Sequence, residues 1–248
     1  MRTALAVFFA LHFASSAAAL GLPWAVAWFA RRREALARGL VTVTLVNLST
    51  AVVLGVAAIL FVTRAWPKPF VTSAVSHFAL LLAVVPLLSA AFASMYAYQI
   101  RGWRPGPAAC GVAVLAIGIV FSVVASFPSG ATSAVLRAAH FVAAAPTATG
   151  LAIAVRFAGT EEARLGVRLA FFGFAAQAAV GASYVLSASG RPGGILLWMP
   201  AVTGLGLLGV LAVLARTRKP SRFLAVAASA GYLFATLSWS AVREASRG

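Results

Sequence analysis

Eight apolar runs, each long enough to cross a bilayer as a helix, divide this sequence from end to end. They lie at roughly 3–29, 40–63, 70–99, 107–127, 133–157, 166–188, 194–215 and 222–242. Lipid is the solvent that such a pattern selects. Only 10% of the residues are charged, against about a quarter in a soluble domain, and aspartate is absent. The acids are Glu34, Glu161, Glu162 and Glu244. A water-facing surface cannot be built from that inventory. In hydrocarbon every backbone N–H and C=O must be satisfied within the chain, so runs of this length fold as helices. The sequence predicts an all-α polytopic membrane protein of about eight transmembrane helices. It reads as a single domain over 1–248, arranged as two four-helix bundles at 1–129 and 130–248. The loops are short, and neither an internal repeat nor a nucleotide motif is evident.

The net charge of +16 does not point to nucleic acid. The cations sit at the ends of the apolar runs instead of forming a patch interleaved with aromatics, so they read as topology signals. Thirteen fall after runs 1, 3, 5 and 7: Arg31, Arg32, Arg33, Arg38, Arg101, Arg104, Arg156, Arg164, Arg168, Arg216, Arg218, Lys219 and Arg222. Seven fall on the other side. The positive-inside rule then places both termini outside a bacterial cytoplasmic membrane. Trp24, Trp28, Tyr96 and Trp103 fit interfacial belts near the inner surface. The first twenty residues have the basic start and small residues of a signal peptide. The apolar run continues to Ala30, however, and ends in three arginines, so it reads as a span. The lone cysteine, Cys110, excludes an intrachain disulfide, a Cys-based zinc site and c-type haem attachment.

Ionisable residues inside spans are expensive, rare and usually functional. Here they are His12 in "LHFASS", His77 in "SHFALL" and His140 in "AHFVAA". Counted from the outer ends of their runs they lie roughly 14, 10 and 10 Å deep, and Met199 in "LLWMPAVTGLG" roughly 8 Å deep. Imidazole nitrogen and thioether sulfur are neutral ligands suited to haem iron. Small residues around them leave room for a flat macrocycle, Pro146 can bend its helix, and Arg137, one turn outward of His140, is placed to pair with a propionate. His77 and His12 are a possible second, bis-histidine pair. The bland alternative is that each histidine hydrogen-bonds a neighbouring carbonyl and Met199 simply packs. No acid lies deep in any run, which argues against a proton pump or proton-coupled carrier.

These residues resemble subunit I of the bd-type quinol oxidases. "LHFASSAAALGL", with His12 nine positions before Gly21, is similar to that family's first helix, whose histidine ligates an active-site haem. The segment from Trp66 to Trp103 resembles the third helix, and "ASFPSG" the end of the fourth. "LRAAHFVAAAPTATG" and "MPAVTGLG" resemble the fifth and seventh, which implies His140 and Met199 as ligands of a low-spin haem b. Val84 and Phe92 stand where the family carries glutamates, and its long quinol-binding loop is reduced to "SASGRPGG".

The expected function is a membrane b-type cytochrome subunit of a respiratory complex, holding one or two haems b. It would pass electrons between quinone and an outer-side partner, a periplasmic cytochrome c or an iron–sulfur protein, alongside other subunits of the complex. The alternatives are a divergent quinol oxidase that still reduces oxygen, and a haem-free membrane anchor or carrier.

Overall fold

The computed structural model describes residues 2–65, 67–125, 131–187 and 194–245. Among them every long segment is helical and no strand occurs. The helices are α1 (Arg2–Ala30), α2 (Glu34–Ala65), α3 (Pro67–Ser76), α4 (Phe78–Arg101), α5 (Gly106–Ala125), α6 (Ala131–Arg156), α7 (Glu161–Ser187), α8 (Gly194–Arg216) and α9 (Arg222–Ala245). Eight of them are long and apolar enough to span a membrane. The chain is thus an all-α, multi-pass membrane protein.

The third run departs from expectation. It is not one rod but two, α3 and α4, separated at His77, whose backbone leaves helical values (φ −120°, ψ 24°). Ser73 compensates for the interruption. Its carbonyl accepts the His77 N–H at 3.1 Å and faces the His77 Nδ1 at 3.0 Å. Its hydroxyl donates to the Val124 carbonyl of α5 at 2.7 Å, fastening the break to a neighbouring helix. Downstream, α4 stops at Gly102, which adopts the left-handed conformation (φ 65°) that glycine tolerates best. Trp103 and Gly102 then return hydrogen bonds to the Ala97 and Tyr98 carbonyls, a Schellman-type ending.

Two helices organise the rest. α1 packs on α2, α5, α6 and α9, and α6 packs on α1, α5, α7 and α9. α1 and α2 run antiparallel, with Phe8 against Phe61 at a ring separation of 4.9 Å. α1 and α6 run parallel: Phe13 meets His140, and further along Gly21 meets Ala145 and Thr149. α6 and α7 are again antiparallel, joined where Gly150 and Gly166 face each other. Hydrophobic burial drives no association between rods already dissolved in lipid, so close van der Waals contact must do it, and small residues permit that contact. A Cβ on Gly166 would lie 2.5 Å from the Gly150 carbonyl oxygen, and one on Gly150 would lie 2.5 Å from the Ala170 nitrogen. The core between the rods is correspondingly small-grained, with Ala17, Ala19, Ala144 and Ala154 fully or almost fully buried.

The charged end is tied together by polar contacts. Arg33 pairs with Glu162 across the α1–α2 and α6–α7 connections, and Arg38 pairs with Glu34 at 2.8 Å. The Gly159 N–H donates to the Pro220 carbonyl at 2.8 Å, linking the α6–α7 turn to the α8–α9 turn.

The backbone contact between α6 and α7 yields a paired prediction. Gly150→Val should destabilise the protein by about 1–3 kcal/mol or more through overpacking. Gly206→Ala, whose new methyl meets nothing within 4 Å, should be close to neutral. Thermal unfolding of both variants in detergent measures the contrast.

Candidate functional site

Each intramembrane histidine takes its surroundings from the helix it faces. His12 projects from α1 onto α2, and its Nδ1 lies 3.0 Å from the Ala51 carbonyl oxygen. A carbonyl only accepts, so Nδ1 carries the proton and Nε2 keeps its lone pair. Gly55, one turn beyond Ala51, makes the approach possible, because a Cβ there would sit 2.9 Å from His12 Cε1. Ser16 Oγ lies 3.4 Å from the same Nδ1.

His140 occupies the corresponding place on α6. Its ring stacks on Phe13 of α1, with centroids 5.6 Å apart and planes 27° apart. On the other side it faces Gly181 of α7, where a Cβ would stand 3.2 Å from His140 Cε1. The main chain of Gln177, one turn before Gly181, is the polar group beside the ring. Nδ1 itself is buried and falls outside hydrogen-bond geometry.

The two histidines share part of their surroundings, although only His12 Nδ1 has a hydrogen-bond partner. Each belongs to a His-Phe pair on the first helix of a tightly packed antiparallel hairpin. Each faces a helix that offers a main-chain polar group and, four residues on, a glycine: Ala51 and Gly55 for His12, Gln177 and Gly181 for His140. The hairpins α1–α2 and α6–α7 thus share a local pattern around their histidines that the sequence did not reveal. The arrangement supplies two half-buried imidazoles in the same half of the membrane-embedded region. In His12 the main chain fixes the tautomer, as it commonly does for histidines that bind metals.

The other expected ligands have different surroundings. The His77 ring turns back on Ser73 at the junction of α3 and α4, where α3 packs on α2, α4 and α5. Met199 is 49% exposed on α8, which packs mainly on α7 and α9, whereas His140 is held between α1 and α7. Arg137 is half-buried one turn from His140 on α6. Among the described residues, no cluster of three or more histidine, cysteine or acidic side chains forms. The donor chemistry at His12 fits an imidazole ligand for haem iron, and the shared surroundings extend the fit to His140.

A buried polar chain beside His140 escaped the sequence reading. Gln177 Oε1 accepts from Thr147 Oγ1 of α6 at 3.4 Å and from Tyr232 Oη of α9 at 3.5 Å. All three residues are buried. The available signal was an uncharged amide in the middle of an apolar run, "FAAQAAVG".

The site geometry predicts a tautomer. Nitrogen NMR of histidine-labelled protein should show His12 protonated at Nδ1 and bare at Nε2, and Gly55→Val should abolish that signature by displacing the ring. Compared with protein-family models, curated proteins and solved structures, the chain gives no match in any of the three.

Proposed function

We propose that this chain is a membrane b-type cytochrome subunit, in which His12 and His140 present imidazoles to haem. The observation that carries the reading is that both rings seat against a glycine of a facing helix, Gly55 for His12 and Gly181 for His140, with the His12 Nδ1 also held by the Ala51 carbonyl. Intramembrane histidines are expensive to keep, and a chain that places two of them in similar surroundings is using them for something. Bound haem b would supply one-electron transfer.

The protein's part is to hold and to insulate. The Ala51 carbonyl fixes the His12 ring in the tautomer that offers Nε2. Phe13 and Phe141, edge to face at 6.2 Å, pack beside His140 and keep its surroundings apolar. Glu34, Glu161 and Glu162 lie at helix starts on the cationic side, away from both histidines. No acid lies deep in any apolar run, which favours electron transfer over proton delivery. With the positive side inward, both histidines lie in the outer half of the membrane. Electrons would then pass between quinone and an outer-side redox partner within a respiratory complex. The resemblance to bd-type subunit I supports the same class of chemistry, while Val84 and Phe92 remove the acids with which oxygen reduction is associated in that family.

The full chain purified from haem-replete bacterial membranes should show a Soret band and a pyridine haemochrome of the b type. His12→Ala and His140→Ala should each lower haem per chain by half or more, and Met199→Leu should leave it unchanged. A folded but colourless wild-type protein would overturn the reading in favour of a haem-free module.

A further inference from the structure

At the opposite end of the molecule from the histidines, an apolar groove lies beside a cationic recess. The groove encloses about 500 Å³ among α1, α5, α6 and α7, with walls that include Trp24, Trp28, Pro146, Ile153, Leu165 and Leu169. Its wall on α1 runs from Leu20 to Phe29, a rise of roughly 14 Å. One leaflet of a bilayer's hydrocarbon core is about 15 Å deep. The recess, about 220 Å³, is bounded by Glu161, Arg164, Leu165, Arg168 and Arg218. Leu165 lines both, so the apolar space and the charged one are immediate neighbours.

Three guanidinium groups meet one carboxylate in the recess, leaving an excess of positive charge. Arg164 is anchored there, its Nε donating to the Ala215 carbonyl at the end of α8 at 3.3 Å. Arg168 and Arg218 are exposed. Trp24 and Trp28 are 41% and 44% exposed along the groove, and Arg32 lies 4.7 Å over the Trp28 ring, which marks this level as the membrane interface. A long apolar slot one leaflet deep, capped by an arginine cluster at the surface, is complementary to an acyl chain beneath an anionic headgroup.

We propose that this combined groove and recess is a binding site for an anionic diacyl phospholipid of the cationic-side leaflet. The phosphate sits among Arg164, Arg168 and Arg218, and an acyl chain lies along Leu165, Leu169 and the two tryptophans. Arginine suits the role because its planar fork can donate two hydrogen bonds to one phosphate group. The site is independent of what occupies the histidine end.

The test uses the full chain in a nonionic detergent, titrated with phosphatidylglycerol, with phosphatidylcholine of the same acyl chains, or with inorganic phosphate. Phosphatidylglycerol should raise the unfolding temperature and persist as a bound adduct in native mass spectrometry. The other two additions should do neither. Arg168→Gln with Arg218→Gln should weaken phosphatidylglycerol binding about tenfold or more. Both side chains are exposed, so the double variant is expected to fold. Arg101→Gln with Arg104→Gln, the same charge loss elsewhere on that face, should leave binding unchanged. Equal binding of phosphatidylcholine would make the site a general acyl-chain groove, and an equal effect of phosphate would make it a soluble-anion site. Either result, or undiminished binding by the Arg168/Arg218 variant, overturns the proposal.

Discussion

Backbone-to-backbone contact between helices is the constraint on which this molecule depends. In lipid, rods of leucine and valine gain nothing by leaving the solvent for one another, so association must come from proximity. Gly150 against Gly166, and Gly21 against Ala145 and Thr149, provide that proximity along α1, α6 and α7. The same device holds the proposed ligands. Gly55 and Gly181 admit the imidazole rings against α2 and α7 at a distance no side chain would allow. Glycine therefore both joins the helices and positions the chemistry.

The molecule is polarised along its helices. One end collects the paired charges, Arg33 with Glu162 and Arg38 with Glu34, together with the arginine recess and the tryptophans. The other half carries His12 and His140, with seven of the chain's twenty cations.

Fold class and span number were legible because hydropathy over about twenty residues reports directly on the solvent. The break at His77 was not, because no proline stands at that point. It depends on Ser73, whose carbonyl and hydroxyl are both engaged there. The facing of Met199 was illegible for a different reason. A helix that is apolar all round has no amphipathic stripe to say which side packs, and α8 is such a helix. The likeness of the two histidine sites stayed hidden because little but the His-Phe pair and the glycines recurs. The offset between halves also drifts, from 128 residues at the histidines to 126 at the glycines. Depth could be counted along each helix, but convergence could not, since it depends on rotations about helix axes that only tertiary contacts fix.

The account's central claim is that the imidazoles of α1 and α6 hold a prosthetic group and are not merely packed residues. The most direct measurement is a cryo-EM map of the full chain isolated from haem-replete membranes, alone or within its complex. The account predicts macrocycle density bonded to Nε2 of His12 or His140, with Nδ1 of His12 still on the Ala51 carbonyl. Rings enclosed only by protein and lipid, in a fully assembled and well-ordered particle, would contradict it.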